Sequence, residues 1–84
     1  MRATDVSDAP TRQADDLLRL RVDVYDAVAQ AKGYPSRAAQ ARWHGLAVST
    51  MWRLIAGGNP AAQTAARIAN QAGVPFEAIW ERAA

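Results

Sequence analysis

The 84-residue chain contains no cysteine, so it has neither disulfide bonds nor thiolate metal ligands, and its fold must depend on apolar packing. It has a single histidine, and residues 27–76 contain no aspartate or glutamate, which leaves no acid–base pair, nucleophile dyad or metal cluster there. It also lacks an apolar run of about 18 residues, as a membrane span needs, and the apolar core of a signal peptide. We therefore expect a soluble, cytoplasmic protein that is not an enzyme and holds no cofactor or metal.

Positive charge is concentrated where the acids are missing. Residues 1–26 carry six acids and four bases, whereas residues 27–76 carry five cations and no acid. These cations are Lys32, Arg37, Arg42, Arg53 and Arg67. A stretch that carries only positive charge indicates an anionic partner, of which nucleic acid is the usual example. The alternative interpretation is that these cations lie on solvated helix faces.

The chain is the length of one domain and is rich in alanine, with 20 alanines that favour helix. Residues 1–11 show no periodicity and predict a flexible leader, and residues 12–84 form the expected domain. Apolar residues at helical spacing predict a first helix over residues 12–31. A second and a third helix are expected over about 36–44 and 47–56. A fourth is expected to be capped by Asn59, with Pro60 at its first position, and to end at Gly73, and a fifth is expected to begin at Pro75. No segment predicts a strand, so the expected fold class is all-α, with five short helices.

The junction between the second and third predicted helices is the most informative part of the sequence. A small residue, Ala41, is followed by Gly45 and then by a second helix. Two helices that cross steeply need a small residue at their contact and a left-handed residue at the turn. This spacing is typical of a helix-turn-helix.

From about Leu17 to Glu81, roughly three quarters of its length, the chain resembles the lambda-repressor-like helix-turn-helix family, the Cro and phage-repressor (XRE) type. The matching positions are Ser36, Ala41, Gly45, Ser49-Thr50-Met51, Gly57, Pro60 and the closing segment at residues 68–75. The chain departs from the family at Gln40 and His44, which leaves the register of the second helix open by about one residue. The resemblance implies a sequence-specific transcriptional regulator, such as a repressor, whose third helix enters the DNA major groove.

A projection of 100° per residue separates the two sides of that third helix. Met51, Leu54, Ile55 and Ala47 fall on the side expected to be buried, and Ser49 and Arg53 point away from it. The expected base contacts are Val48, Ser49, Trp52 and Arg53. The expected phosphate contacts are Lys32, Arg37, Arg42, Thr50, Gly58 and Asn59, the last two through amides at the start of the fourth helix.

Several of these residues have a second interpretation. Arg53 can take guanine O6 and N7 together, or contact phosphate, or remain solvated. Trp52 either touches a thymine methyl or belongs to the core, where we also expect Trp43. We expect His44 to be a helix-end residue and not a ligand.

The last predicted helix places three large apolar side chains near the end of a small chain. We expect at least one of Phe76, Ile79 and Trp80 to be exposed, with Trp80 the foremost candidate, and to support a weak homodimer. The alternative is that Trp80 folds back on Leu17 or Leu20. Two other functions remain open: a protein-interaction module of antitoxin or anti-repressor type, and an accessory factor that bends DNA for recombination.

Overall fold

The computed structural model describes residues 17–83, which form five helices and two short strands. In chain order these are β1 (Leu18–Leu20), α1 (Val22–Ala31), α2 (Arg37–His44), α3 (Val48–Ile55), α4 (Ala62–Ala72), α5 (Phe76–Ile79) and β2 (Trp80–Arg82). The expected leader at residues 1–11, and residues 12–16 of the expected first helix, lie outside this described part. Among the described residues, no helix has the length and apolarity to cross a bilayer.

The fold is predominantly helical, but the expectation that it lacks strands is wrong. β1 and β2 pair antiparallel, with Leu18 opposite Arg82 and Leu20 opposite Trp80. The ladder continues at its ends, where the Arg21 amide donates to the Ile79 carbonyl at 2.7 Å. α1 therefore begins at Val22 and not near residue 12, because residues 18–20 lie in a strand that pairs with residues 80–82.

The ends of α2 follow local signals that the sequence carries. The Ser36 hydroxyl accepts a hydrogen bond from the Ala39 amide at 3.1 Å, which caps the start of the helix. Gly45 ends it in the left-handed conformation, with φ of 71°. α2 therefore spans Arg37–His44 with Ser36 at its N-cap, where the sequence places the second helix at about 36–44.

The start of the fourth helix differs from the expectation. α4 begins at Ala62 with Ala61 at its N-cap, and neither Asn59 nor Pro60 lies in the helix. The Asn59 side-chain oxygen instead accepts from the Leu18 amide at 2.8 Å, so it ties the loop before α4 to β1. The oxygen that would cap a helix therefore accepts a hydrogen bond from a strand that is distant in the chain.

All the helices and both strands surround one apolar core. Its buried residues are Leu20, Tyr25, Ala29, Ala41, Met51, Leu54, Ala65, Ile68, Ala69, Ala72, Ile79 and Trp80. Much of this core is alanine, so the few large side chains carry most of the buried apolar area.

Trp80 belongs to that core, so the expectation that it is exposed is wrong. It is 2% exposed, and its indole Nε1 donates to the Ala65 carbonyl at 3.0 Å. Ile79 is also fully buried, whereas Phe76 is 38% exposed. The alternative, in which Trp80 returns to Leu20, matches the strand register. Homodimerisation stays a prediction, with Phe76 alone of the three presenting apolar surface.

Candidate nucleic-acid interface

The centre of the candidate site is the pair α2 and α3 with the three residues between them. The left-handed Gly45 lets the Leu46 amide return to the Ala41 carbonyl at 2.8 Å, which closes the end of α2. Ala41 is 1% exposed, so its small side chain lies inside the structure near the turn. The turn therefore sends the chain directly into α3.

α3 has one buried side and one exposed side. Met51 and Leu54 are buried, as the angular projection predicts, whereas Ala47 is exposed at the N-cap instead of pointing inward. The outward side presents the four expected base-contact residues, all exposed. They are Val48 at 45%, Trp52 at 55%, Ser49 and Arg53. Thr50, an expected phosphate contact, is half-buried.

The loop that follows α3 returns close to Arg53. The Gly58 amide donates to the Arg53 carbonyl at 2.8 Å. A Cβ added at Gly58 would lie 2.8 Å from both Arg53 Cγ and that carbonyl oxygen, so only glycine fits at this approach. The backbone at Gly58 thus passes close to Arg53, and the Gly58 amide is already bonded within the chain.

The expected phosphate contact of Gly58 and Asn59 loses its basis. That expectation needs both residues at the start of the fourth helix, and the helix begins at Ala62. The Asn59 side chain is also taken by Leu18. Residues 58 and 59 therefore hold the loop in place, which sequence reasoning missed because the partner strand is distant in the chain.

Arg37 is not a free cation. Its guanidinium pairs with Asp26 of α1 at 2.6 Å, with a second bond at 3.3 Å, and donates to the Gln40 side-chain oxygen at 2.9 Å. The Asp26 carboxylate beside it raises the pKa of Arg37 further above its ordinary value. The pair removes one of the five positive charges that the sequence places between residues 27 and 76.

Trp52 lies beside that pair and not in the core. The guanidinium carbon of Arg37 lies 5.7 Å from the centre of the Trp52 ring, which is cation–π geometry. The core interpretation of Trp52 is wrong, since more than half of its surface is exposed. One part of the indole thus contacts Arg37 while much of the rest remains open.

The other cations differ in their exposure and in their contacts within the chain. Arg42 and Arg53 lie exposed on α2 and α3. Arg67 donates to the His44 carbonyl at 2.8 Å. Lys32 lies toward the far end of α4, since a Cβ added at Gly73 would lie 3.5 Å from its ammonium nitrogen. Arg53 is therefore the exposed cation on α3 itself, while Arg42 lies on α2 and Arg67 reaches the turn between the two helices.

The last residue of α2, His44, forms a buried polar network that sequence reasoning did not predict. His44 is 1% exposed, with Nδ1 2.7 Å from the Gln71 side-chain oxygen and Nε2 2.6 Å from the Tyr25 hydroxyl. The Gln71 amide nitrogen donates to the Trp43 carbonyl, so its oxygen must accept from Nδ1. In the neutral ring, which burial favours by lowering the pKa of His44, Nε2 then accepts from the Tyr25 hydroxyl. The signal was available, because a histidine stands where the helical period calls for an apolar side chain.

The surroundings of this network keep it neutral. Burial lowers the pKa of His44, a tendency that the Gln71 hydrogen bond opposes and the nearby Arg67 charge reinforces. Burial also raises the pKa of Tyr25. Trp43, expected in the core, is half-buried and stacks on Tyr34 and His44 with ring centres 4.2 Å and 4.4 Å apart. The network holds α2 to α1 and α4, and thereby fixes the base from which α3 projects.

Comparison with known proteins gives no relative: the chain matches no protein-family model, and searches of curated proteins and of solved structures found no significant match. The resemblance to the lambda-repressor-like family therefore stays a prediction from the sequence.

Proposed function

We propose that this protein is a non-enzymatic, sequence-specific DNA-binding regulator of helix-turn-helix type that inserts α3 in the major groove. The observation that supports it best is the outward side of α3, where Ser49 and Arg53 lie exposed on a helix whose opposite side is buried. A regulatory role, such as repression, follows from the occupation of a specific DNA site.

The dimensions of α3 suit the major groove. An α-helix with its side chains is about 10–12 Å across, and the major groove of B-DNA is about 12 Å wide. Because Met51 and Leu54 anchor the helix from below, its outward side can approach the base edges without disturbing the core.

The charges suit a phosphate backbone. Arg42 lies exposed on the helix before the turn and Arg53 on the helix after it, in a stretch of sequence without acids. We assign Arg53 to guanine and Arg42 to phosphate.

The experiment is selection from a random pool of double-stranded DNA, followed by affinity measurements on the enriched site. Arg53→Ala should lower the preference at one base pair by about 1–3 kcal/mol. Arg21→Ala is the matched control, because it removes the same charge from an arginine that pairs with Glu81 beside the strands. This control should leave base preference unchanged.

Two results would count against the proposal. If no sequence is enriched, the protein is not a specific DNA-binding regulator. If Arg53→Ala weakens specific and random DNA equally, Arg53 contacts phosphate and the base assignment fails.

A protein-interaction module is the second candidate function, and the exposure of Val48 and Trp52 favours it. Large exposed apolar side chains that lie together often mark protein contacts. A module of that kind would bind DNA with little affinity at any salt concentration, whereas the proposed regulator should show affinity that falls steeply as salt rises.

A further inference from the structure

The outward side of α3 carries two parallel rows of different chemistry. Val48 and Trp52 are four residues apart and form an apolar row, while Ser49 and Arg53, also four apart, form a polar row. Both apolar side chains are about half exposed, at 45% and 55%. A helix surface that met phosphates alone would have no use for the apolar row.

The neighbouring Arg37 holds one member of that row. Its guanidinium is bound by Asp26 and by Gln40, whose own amide nitrogen donates to the Tyr34 carbonyl at 3.0 Å. Gln40 is 1% exposed, so this chain of bonds is anchored inside the domain. The Trp52 ring, 5.7 Å from that guanidinium, therefore contacts a fixed cation and not a mobile one.

A fixed apolar surface beside a guanine-binding arginine suits one feature of the major groove, the C5-methyl group of thymine. The methyl is the apolar element that base edges display there, and apolar side chains contact it. A row next to Ser49 and Arg53 places such a contact close to the base pair that Arg53 contacts.

We propose that Val48 and Trp52 recognise a thymine C5-methyl group in the bound site, and that Arg37 is a positioning residue for the Trp52 indole. This inference rests on the proposed DNA binding and names the base chemistry that the site selects. It also assigns Arg37 a role other than the phosphate contact expected from the sequence.

The test uses the full chain and the DNA site enriched by selection. Each thymine is replaced in turn by deoxyuridine, which removes the methyl group and leaves the O4 acceptor unchanged. For wild type, Kd should rise about fourfold at one or more thymines, the factor that corresponds to roughly 0.8 kcal/mol for one buried carbon. The ratio of the two Kd values, uracil over thymine, is the methyl sensitivity.

Substitutions then locate the contact. Trp52→Ala and Val48→Ala should each bring the methyl sensitivity at that position toward one. Val24→Ala is the matched control, because Val24 is another helical valine, 40% exposed, on α1. It should keep the sensitivity of wild type. A thermal melt of each variant shows that the fold is intact.

Arg37→Met separates positioning from phosphate contact. If Arg37 positions the Trp52 indole, the substitution should reduce the methyl sensitivity and leave the slope of affinity against salt unchanged. If Arg37 contacts a phosphate, the substitution should instead lower that slope by about one unit and leave the methyl sensitivity unchanged. Arg37→Lys, which keeps the charge but not the planar group, should also reduce the sensitivity and guards against a misfolded Met variant.

The possible outcomes distinguish the methyl contact from the proposed DNA binding. If DNA is bound specifically but uracil replaces thymine everywhere without effect, or if the selected site holds no thymine, the methyl contact is overturned and the proposed function stands. If no DNA sequence is enriched, both are overturned. If Val24→Ala removes the sensitivity as well as Val48→Ala does, the assignment to the apolar row fails.

Discussion

The first and last residues of α2 both tie this helix to its neighbours, but they do so by different chemistry. Arg37 joins α1 and α3 through an ion pair with Asp26 and a cation–π contact with Trp52, at a half-buried position. His44 joins α1 and α4 through two neutral hydrogen bonds in a buried position. One tie depends on charge that water and salt can reach, and the other on burial.

This difference shows why the two ends suit different tasks. A buried polar group that loses its partner carries the full penalty of desolvation, so the His44 tie is expensive to break and fixes the frame. A half-exposed ion pair contributes little free energy, so the Arg37 tie orients a side chain more than it stabilises the fold. The exposed side of α3 therefore rests on a buried neutral tie at one end of α2 and on a salt-accessible ion pair at the other.

The largest expected effect is from His44→Ala. The change removes a buried imidazole and leaves the Tyr25 hydroxyl and the Gln71 side-chain oxygen without their partner, so the free energy of unfolding should fall by about 3 kcal/mol. Denaturant unfolding followed by circular dichroism measures it. Arg42→Ala, on the exposed side of the same helix, is the control and should stay within about 0.5 kcal/mol of wild type. Equal losses in the two variants would show that His44 is not a structural tie.

The parts of this molecule that sequence predicted are those with local signals. The cap at Ser36, the glycine turn at Gly45 and the burial of Met51 and Leu54 each depend on residues within about one or two helical turns of one another. The exposure of Ser49 and Arg53 follows from the same spacing. These local features gave the bounds of α2 and the orientation of α3.

The parts that sequence did not predict depend on residues far apart in the chain. The Leu18 amide finds Asn59 41 residues away, and His44 finds Gln71 27 residues away. Propensity and periodicity carry no information on such pairs, so Asn59 was expected to cap a helix and His44 only to end one. Arg37 was expected to be free because its partner, Asp26, lies on another helix. The functional role of the exposed residues stays a prediction.

A smaller effect should appear when His44 is protonated instead of removed. Burial holds the folded pKa of His44 below its ordinary value of 6.5, with Tyr25 and the Arg67 charge close to the ring. Above pH 6.5 the imidazole is neutral in both states and its contribution is complete. Below that pH the unfolded chain takes up the proton first, so the free energy of unfolding should fall as pH drops toward the folded pKa.

Unfolding curves in steps from about pH 8 to about pH 5 measure this loss, and His44→Gln is the control because an amide does not titrate in that range. The difference between wild type and variant in the slope of unfolding free energy against pH is the contribution of His44. If both proteins lose stability equally with falling pH, carboxyl groups account for the change and the assignment to His44 is wrong.

The smallest expected effect is from Arg37→Met, and it tests the other end of the comparison. The change leaves Asp26 half-exposed without its cation and the buried Gln40 oxygen without a donor, so the free energy of unfolding should fall by about 1 kcal/mol. Because an accessible ion pair is screened by salt, the difference from wild type should shrink as salt rises. The loss in His44→Ala should not change with salt, since both its hydrogen bonds are neutral. Denaturant unfolding at low and high salt for the two variants measures both losses. A loss in Arg37→Met as large as that in His44→Ala, or one that does not change with salt, would show that the two ends of α2 are tied in the same way and that Arg37 does more for the stability of the fold than for the orientation of Trp52.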